Sequence, residues 1–354
     1  MSKEVLVIHR ALAPYRVDFF KVINDNCSAE IIFLLRNLQQ ANYQQHYLVD
    51  KLGGKPEYLT QGLNLGRRVL YRRGLLKKVL NFGGSYIVLY EFGPLTLYLV
   101  LMSLVFRKKI QIIIMTDDSV DVLAKSGILR KLSRKLILLN TRGIICSSSR
   151  VSQFFKKKSI RTIYFPIIQN ENRPEFKSSK TRRDLDFLYV GRFSPEKNVI
   201  GLLDAFHDYQ SCNSVNTNLT LVGDGPQLAE VRQRIEALSL SDSVSLLGWM
   251  EGEELYSIYR KSKYLVLPSL TERFGAVVNE ALIFGLAVMC SSKAGASELI
   301  NFNNGVVFDP SDHAGFVNSF VEVRSKYMGG NGMPMLFSDF TNDLLNLLNC
   351  NRDF

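Results

Sequence analysis

Glu272 and Glu280 enclose the run Arg273-Phe274-Gly275-Ala276-Val277-Val278-Asn279, in which Gly275 separates a loop-like stretch from a helix-like one. Carboxylates at such a junction can accept hydrogen bonds from vicinal sugar hydroxyls, and the unpaired N–H groups of the helix start suit a diphosphate. Gly275 lets a ligand approach the backbone. The same two acids could equally serve an ordinary helix near its positive end. Earlier in the chain, Arg192-Phe193-Ser194-Pro195-Glu196-Lys197 follows an apolar run that ends at Gly191. A guanidinium fork and an ammonium placed there could neutralise a departing diphosphate without a metal, or remain two solvated cations. Asp117 and Asp118 follow a third apolar run, where they could orient a sugar hydroxyl, assist an acceptor or cap a helix.

Positioning these groups takes strands that end at one edge of a sheet. In the first half, the runs 5–8, 31–35, 86–90, 110–115 and 143–146 read as short buried strands separated by stretches long enough for helices. In the second half, strands are predicted at 186–191, 219–223, 243–248, 263–268 and 286–292. Val199, Leu202, Leu203 and Phe206 mark one helix, Leu228, Val231, Ile235 and Leu238 a second, and 253–260 and 275–284 two more. Such alternation predicts an α/β chain of two doubly wound domains, with ligands at the C-terminal ends of the strands. The polar, proline-containing stretch 164–180 reads as the linker. The expected domains are 1–176 for the acceptor and 177–335 for the donor, with a C-terminal helix in 336–354 packing back on the first domain.

Composition divides the chain the same way. Up to Lys180 there are 30 Lys and Arg against 12 Asp and Glu, a net of +18; beyond it there are 14 against 21, a net of −7. A basic first half suits an anionic surface such as lipid headgroups, or is simply a solvated face. No interleaved aromatic and basic stripe supports nucleic-acid binding. Five widely spaced cysteines, with no C-x-x-C pair and no Cys/His cluster, argue against disulfides and zinc and for a reducing compartment. The apolar stretch 95–106 is too short to cross a bilayer and is expected to be a buried helix, with interfacial docking as the other reading. Gly223-x-Gly225 lacks the third glycine of a dinucleotide fingerprint, and no Gly-Lys-Ser/Thr loop is present. Asp184-Leu185-Asp186 looks like a metal-binding D-x-D but sits at the entrance of a strand. The histidines His9, His46, His207 and His313 have no partner at ligand spacing and are expected in surface or packing roles.

From about Phe187 to Asp312 the sequence resembles the retaining GT-B glycosyltransferases of family four. The resemblance rests on Val190-Gly191-Arg192 with Glu196-Lys197, Gly223-Asp224-Gly225-Pro226, the run from Glu272 to Glu280, and Ala294-Gly295-Ala296-Ser297-Glu298 followed by Gly305. It implies that Arg192 and Lys197 bind donor phosphates, Glu280 the ribose, and Glu272 the donor sugar or its developing charge. It further implies that the Phe274-Gly275 backbone touches sugar and phosphate, that Gly223 lies in the donor site, and that Gly248 and Trp249 border the base. Asp117 or Asp118 stands where members often carry a His or Asp near the transferred sugar. Many members have a glycine-rich turn after the first strand, whereas this chain has Arg10-Ala11-Leu12-Ala13-Pro14-Tyr15-Arg16. The run Pro14-Tyr15-Arg16-Val17-Asp18-Phe19-Phe20 resembles polysaccharide-assembly members, and Arg16 could meet an acceptor phosphate or be a solvated helix residue.

The resemblance implies a GT-B fold of two Rossmann-like domains facing a central cleft. It also implies a hexosyltransferase-type enzyme (EC 2.4) using a nucleotide diphosphate sugar, with retention and no metal or other cofactor. The expected acceptor is a glycan or lipid-linked molecule of cell-surface polysaccharide assembly, lipopolysaccharide or capsule. Cytoplasmic placement on the inner face of the membrane is expected. The competing readings are a GT-B nucleotide-sugar epimerase or hydrolase, and a noncatalytic subunit assisting a partner transferase.

Overall fold

The computed structural model describes residues 4–36, 45–66, 68–106, 109–118, 120–172, 176, 182–213, 216–326 and 336–350. The chain forms two units, Met1–Gln169 with Phe337–Phe354, and Asn170–Leu336. The first runs through β1 (Val5–His9), α1 (Val17–Asn26), β2 (Ala29–Phe33), α2 (Gln45–Leu52), β3 (Glu57–Tyr58), β4 (Gly62–Leu65), β5 (Arg68–Arg72), α3 (Leu75–Asn81), β6 (Tyr86–Tyr90) and α4 (Pro94–Val105). It continues with β7 (Gln111–Thr116), α5 (Val120–Ala124), α6 (Ile128–Leu139), β8 (Thr141–Cys146), α7 (Ser149–Lys156) and β9 (Thr162–Tyr164). The second comprises β10 (Leu185–Val190), α8 (Val199–Asn213), β11 (Leu219–Val222), α9 (Leu228–Ala237), β12 (Val244–Gly248), α10 (Gly252–Lys261), β13 (Ser262–Leu267), α11 (Ala276–Ile283), β14 (Ala287–Ser291), β15 (Gly305–Phe308) and α12 (His313–Arg324). A last helix, α13 (Ser338–Leu348), belongs to the first unit, where it packs on α1 and β9.

Each unit is an α/β layer structure around a parallel sheet. The first sheet has the order β3-β2-β1-β6-β7-β8-β9 and the second β12-β11-β10-β13-β14-β15. Strands β1, β11 and β14 are buried at every position, which is why they read as unbroken apolar runs: helices cover both faces. In the second unit the chain works outward from β10 to β12 and then returns to β13 on the other side of β10. That reversal opens a crevice beyond the strand ends, the usual ligand position in such sheets. The first sheet reverses in the same way between β1 and β6.

Several expectations need correction. The stretch 164–180 is not a linker from its start, because Tyr164 ends β9, which pairs with β8, and Phe165, Ile167, Ile168 and Gln169 are buried in the first unit. The change of unit falls between Gln169 and Asn170, earlier than 176, and Phe176 packs on Tyr256 and Phe284 of the second unit. The antiparallel pair β4 and β5 and the edge strands β3, β9 and β15 are additions to the sequence reading. Cysteine spacing also misled, for Cys27 and Cys350 form a disulfide with Cα atoms 5.4 Å apart. Spacing along the chain says nothing of a contact made because α13 folds back on α1, the helix that Cys27 caps. The inference of a reducing compartment loses that support. The stretch 95–106 does form α4, started by Pro94, but Leu101, Leu104, Val105 and Phe106 are exposed. No helix among the described residues is long and apolar enough to cross a membrane.

Candidate functional site

In the second unit, three loops at the C-terminal ends of β10, β13 and β14 are fastened together by main-chain hydrogen bonds. Leu270 N–H donates to the Glu196 carbonyl at 2.9 Å, and Ala296 N–H donates to the Phe274 carbonyl at 2.7 Å. Asn198, held at φ 57°, donates its side-chain amide to the Pro268 carbonyl, and Ser291 Oγ donates to the Ser269 carbonyl at 2.7 Å. This fastening brings Lys197, from the loop after β10, into an ion pair with Glu272, from the loop after β13. The two are 75 residues apart in sequence and sit beside the reversal of the sheet, with side chains only 24% and 15% exposed.

Gly275 caps α11 with φ 97°, a left-handed backbone conformation that calls for glycine. Glu280 lies in the second turn of this helix, where its Oε2 accepts a hydrogen bond from Tyr259 at 2.9 Å. Burial first, and then the charge of Glu280, raise the Tyr259 pKa well above the ordinary phenol value. Tyr259 therefore remains a donor, and its ring is stacked on Phe284. Gly223 follows β11 at φ 145°, and its N–H donates to the Gly248 carbonyl at 2.7 Å. A Cβ at Gly223 would sit 1.8 Å from the Gly191 carbonyl oxygen, so the loops after β10 and β11 approach too closely for any other residue. Gly248 ends β12, and the Trp249 ring after it is 55% exposed. Arg192 is exposed after β10, whereas Phe274 is buried and its carbonyl accepts from Ala296 N–H.

The first unit carries a second polar cluster at the reversal of its own sheet. Arg16, in the 3-10 turn before α1, is almost fully buried and pairs with Asp117 Oδ1. Tyr90 at the end of β6 donates to Asp117 Oδ2 at 3.1 Å. The reading of Arg16 as a solvated helix residue is thus overturned: the 3-10 turn and the carboxylate draw it inward. Asp118 is half-buried, with its N–H donating to Thr116 Oγ1. His9, expected in a surface or packing role, and Tyr90, which the sequence reading left out, complete the cluster. His9 closes β1, packs on Tyr90 with ring centroids 4.1 Å apart, and donates its Nδ1–H to the Ala11 carbonyl at 2.9 Å. Their one sequence signal is position at a strand's C-terminal end, since neither belongs to a local motif.

Burial, and next the Arg16 charge, lower the His9 pKa to about 3 from an ordinary 6.5. Unfolding therefore takes up a proton between those values. The stability this group contributes is complete above about pH 6.5 and falls by about 1.4 kcal/mol per pH unit as pH drops toward 3. In denaturant titrations between pH 7 and pH 5, His9→Phe is expected to show a shallower decline than the parent. Identical slopes would show that His9 is not the titrating group.

Residues 170–325 match the family model described as Glycosyl transferases group 1. An uncharacterized glycosyltransferase of Methanocaldococcus jannaschii is 27% identical over 218 residues, covering 60% of this chain and 59% of that protein. The O-antigen chain mannosyltransferase B of Escherichia coli is 31% identical over 126 residues, covering 35% and 33%. The chain thus spans between a third and about three fifths of these curated relatives' length. Among solved structures, HepE of Anabaena in complex with UDP superposes with a TM-score of 0.77 at 16% identity, covering 98% of this chain and all of that one. The apo lipopolysaccharide outer core galactosyltransferase WaaB gives 0.71 at 16%, covering 97% and 99%. The fold is GT-B, with two Rossmann-like parallel-sheet units, and the group 1 glycosyltransferase pattern lies in the second.

Proposed function

We propose that this chain is a glycosyltransferase (EC 2.4) that moves a hexose from a nucleotide diphosphate sugar to a glycan or lipid-linked acceptor in cell-surface polysaccharide assembly. The observation that carries the donor half is the Lys197–Glu272 pair beside the sheet reversal, with Gly275 opening α11 next to it. Arg192 and Lys197 take the diphosphate, the N-terminal amides of α11 assist them, Glu280 takes the ribose, and Gly248 and Trp249 border the base. The proposed reaction retains anomeric configuration. The bond from C1 to the β-phosphate oxygen breaks, the acceptor oxygen bonds to C1 on the same face, and the acceptor's proton leaves with the nucleoside diphosphate. Cations in the place of a metal stabilise the departing charge, and Glu272 the positive charge that builds on the sugar. In the first unit, Arg16 and Asp117, with Asp118 beside them, are assigned to recognition of the acceptor.

HepE has been crystallised with UDP and glucose, and an amylovoran biosynthesis glycosyltransferase of Erwinia amylovora is 24% identical over 229 residues, which supports the donor class and the polysaccharide context. The basic first half supports a place at the inner face of the cell membrane. The test is a panel of nucleotide sugars screened by thermal stabilisation, followed by product analysis with the stabilising donor, with and without membrane glycolipid extract. Selective stabilisation and nucleoside diphosphate release that depends on the extract are expected. Equal release without acceptor would indicate a hydrolase, and a donor changed in sugar without release would indicate an epimerase.

A further inference from the structure

Helix α6 turns an apolar side outward. Its inner side is held by Ile137, which is fully buried, and by Arg134, whose guanidinium donates to the Leu123 carbonyl at 3.0 Å and to Ser126 Oγ at 3.1 Å and lies over the Phe92 ring. With that side fixed, Ile128, Leu129, Leu132, Leu136 and Leu139 are left 78%, 83%, 53%, 46% and 72% exposed. At about 100° per residue, these five fall within one arc of about 100° on the helix surface. Lys131 and Lys135, both exposed, border the arc on one side. Five large apolar side chains gathered on one face of a twelve-residue helix are not the scattered apolar exposure of an ordinary surface.

Charge decides what covers this face. Between Asp121 and Glu171 the sequence has eleven Lys and Arg and no acidic residue. A neutral apolar partner would not need that field, whereas an anionic bilayer offers hydrocarbon for the leucines and phosphate for the cations at the depth each needs. At 12 residues the helix is too short to cross a bilayer, so it lies in the interface. Helix α4 packs on α6, and its last turn also exposes Leu104 and Val105.

We propose that α6 is the element by which this protein docks on an anionic lipid bilayer, its apolar side chains immersed and Lys131 and Lys135 at the phosphates. This rests on the membrane-linked acceptor of the proposed function and assigns that contact to one face. The test is flotation of the full chain with phosphatidylcholine vesicles, alone and mixed with phosphatidylglycerol. The parent is expected to bind the mixed vesicles preferentially, and increasingly so at low salt. Leu129→Gln with Leu132→Gln and Leu139→Gln should lower that partitioning by roughly a hundredfold. Lys131→Gln with Lys135→Gln should lower it about thirtyfold at low ionic strength. Nucleoside diphosphate affinity, measured by calorimetry on the same variants, should not change, so a failed docking surface and a failed donor site give different results. Parental partitioning of the leucine variant would overturn the proposal. So would a parent that floats with neither vesicle, or a concentration-dependent dimer in sedimentation that the leucine variant abolishes while vesicle binding persists, since the face would then belong to a second copy.

Discussion

Replacing Arg192 and Lys197 together with Ala is expected to weaken nucleoside diphosphate binding by about two to four orders of magnitude. Each removes a charged hydrogen bond to phosphate, of about 1.5–3 kcal/mol. Loss of Lys197 does further harm, because it leaves the Glu272 carboxylate, 15% exposed, without its cation and facing the ligand's negative charge. A variant in which Lys197→Ala is combined with Glu272→Gln separates the two effects and should recover part of the lost affinity. Calorimetry on protein shown to be folded makes the comparison. Parental affinity in the Arg192/Lys197 double variant would remove both residues from the phosphate site.

The second large effect is expected at Glu272, and it differs in kind from that at Glu280. Glu272→Gln removes a charge that meets the sugar as its own charge develops, so turnover should fall by about a hundred- to a thousandfold. Free nucleoside diphosphate should bind as tightly as before or more tightly, since Lys197 is released from its ion pair. Glu280→Gln should instead weaken donor and free nucleotide alike, because both contain ribose and Glu280 is held in place by Tyr259. Both variants need full kinetics with the identified donor and acceptor. Equal loss of nucleotide affinity in the two, or parental turnover in Glu272→Gln, would contradict this division of labour.

The second unit was the more legible in sequence. Its inner strands β10, β11, β13 and β14 are mostly buried, and apolar runs mark β10 to β14 to within a residue or two, although the four-residue edge strand β15 went unread. The helix between 199 and 213 repeats its apolar positions at the helical period. The first unit hides more. Strand β9 has three residues and precedes Pro166, so it reads as a loop, and α6 presents its leucines to solvent, which defeats any search for a core-facing stripe. Pairings depend on the sheet order, which no local pattern reveals. Lys197 meets Glu272 because β13 lies beside β10, and Arg16 reaches Asp117 across 101 residues because the first sheet has a reversal of its own. Cys27 and Cys350, 323 residues apart, are the extreme case.

The central claim is that the loops after β10 and β13 hold a nucleotide diphosphate sugar, and the most direct measurement is a crystal structure with the donor selected by the ligand panel. The diphosphate is expected within hydrogen-bonding reach of Arg192 and Lys197 and of the amides that begin α11, with the ribose hydroxyls on Glu280 and Glu272 turned from Lys197 to the sugar. A donor bound elsewhere, with the Lys197–Glu272 pair intact and no phosphate near Gly275, would contradict it.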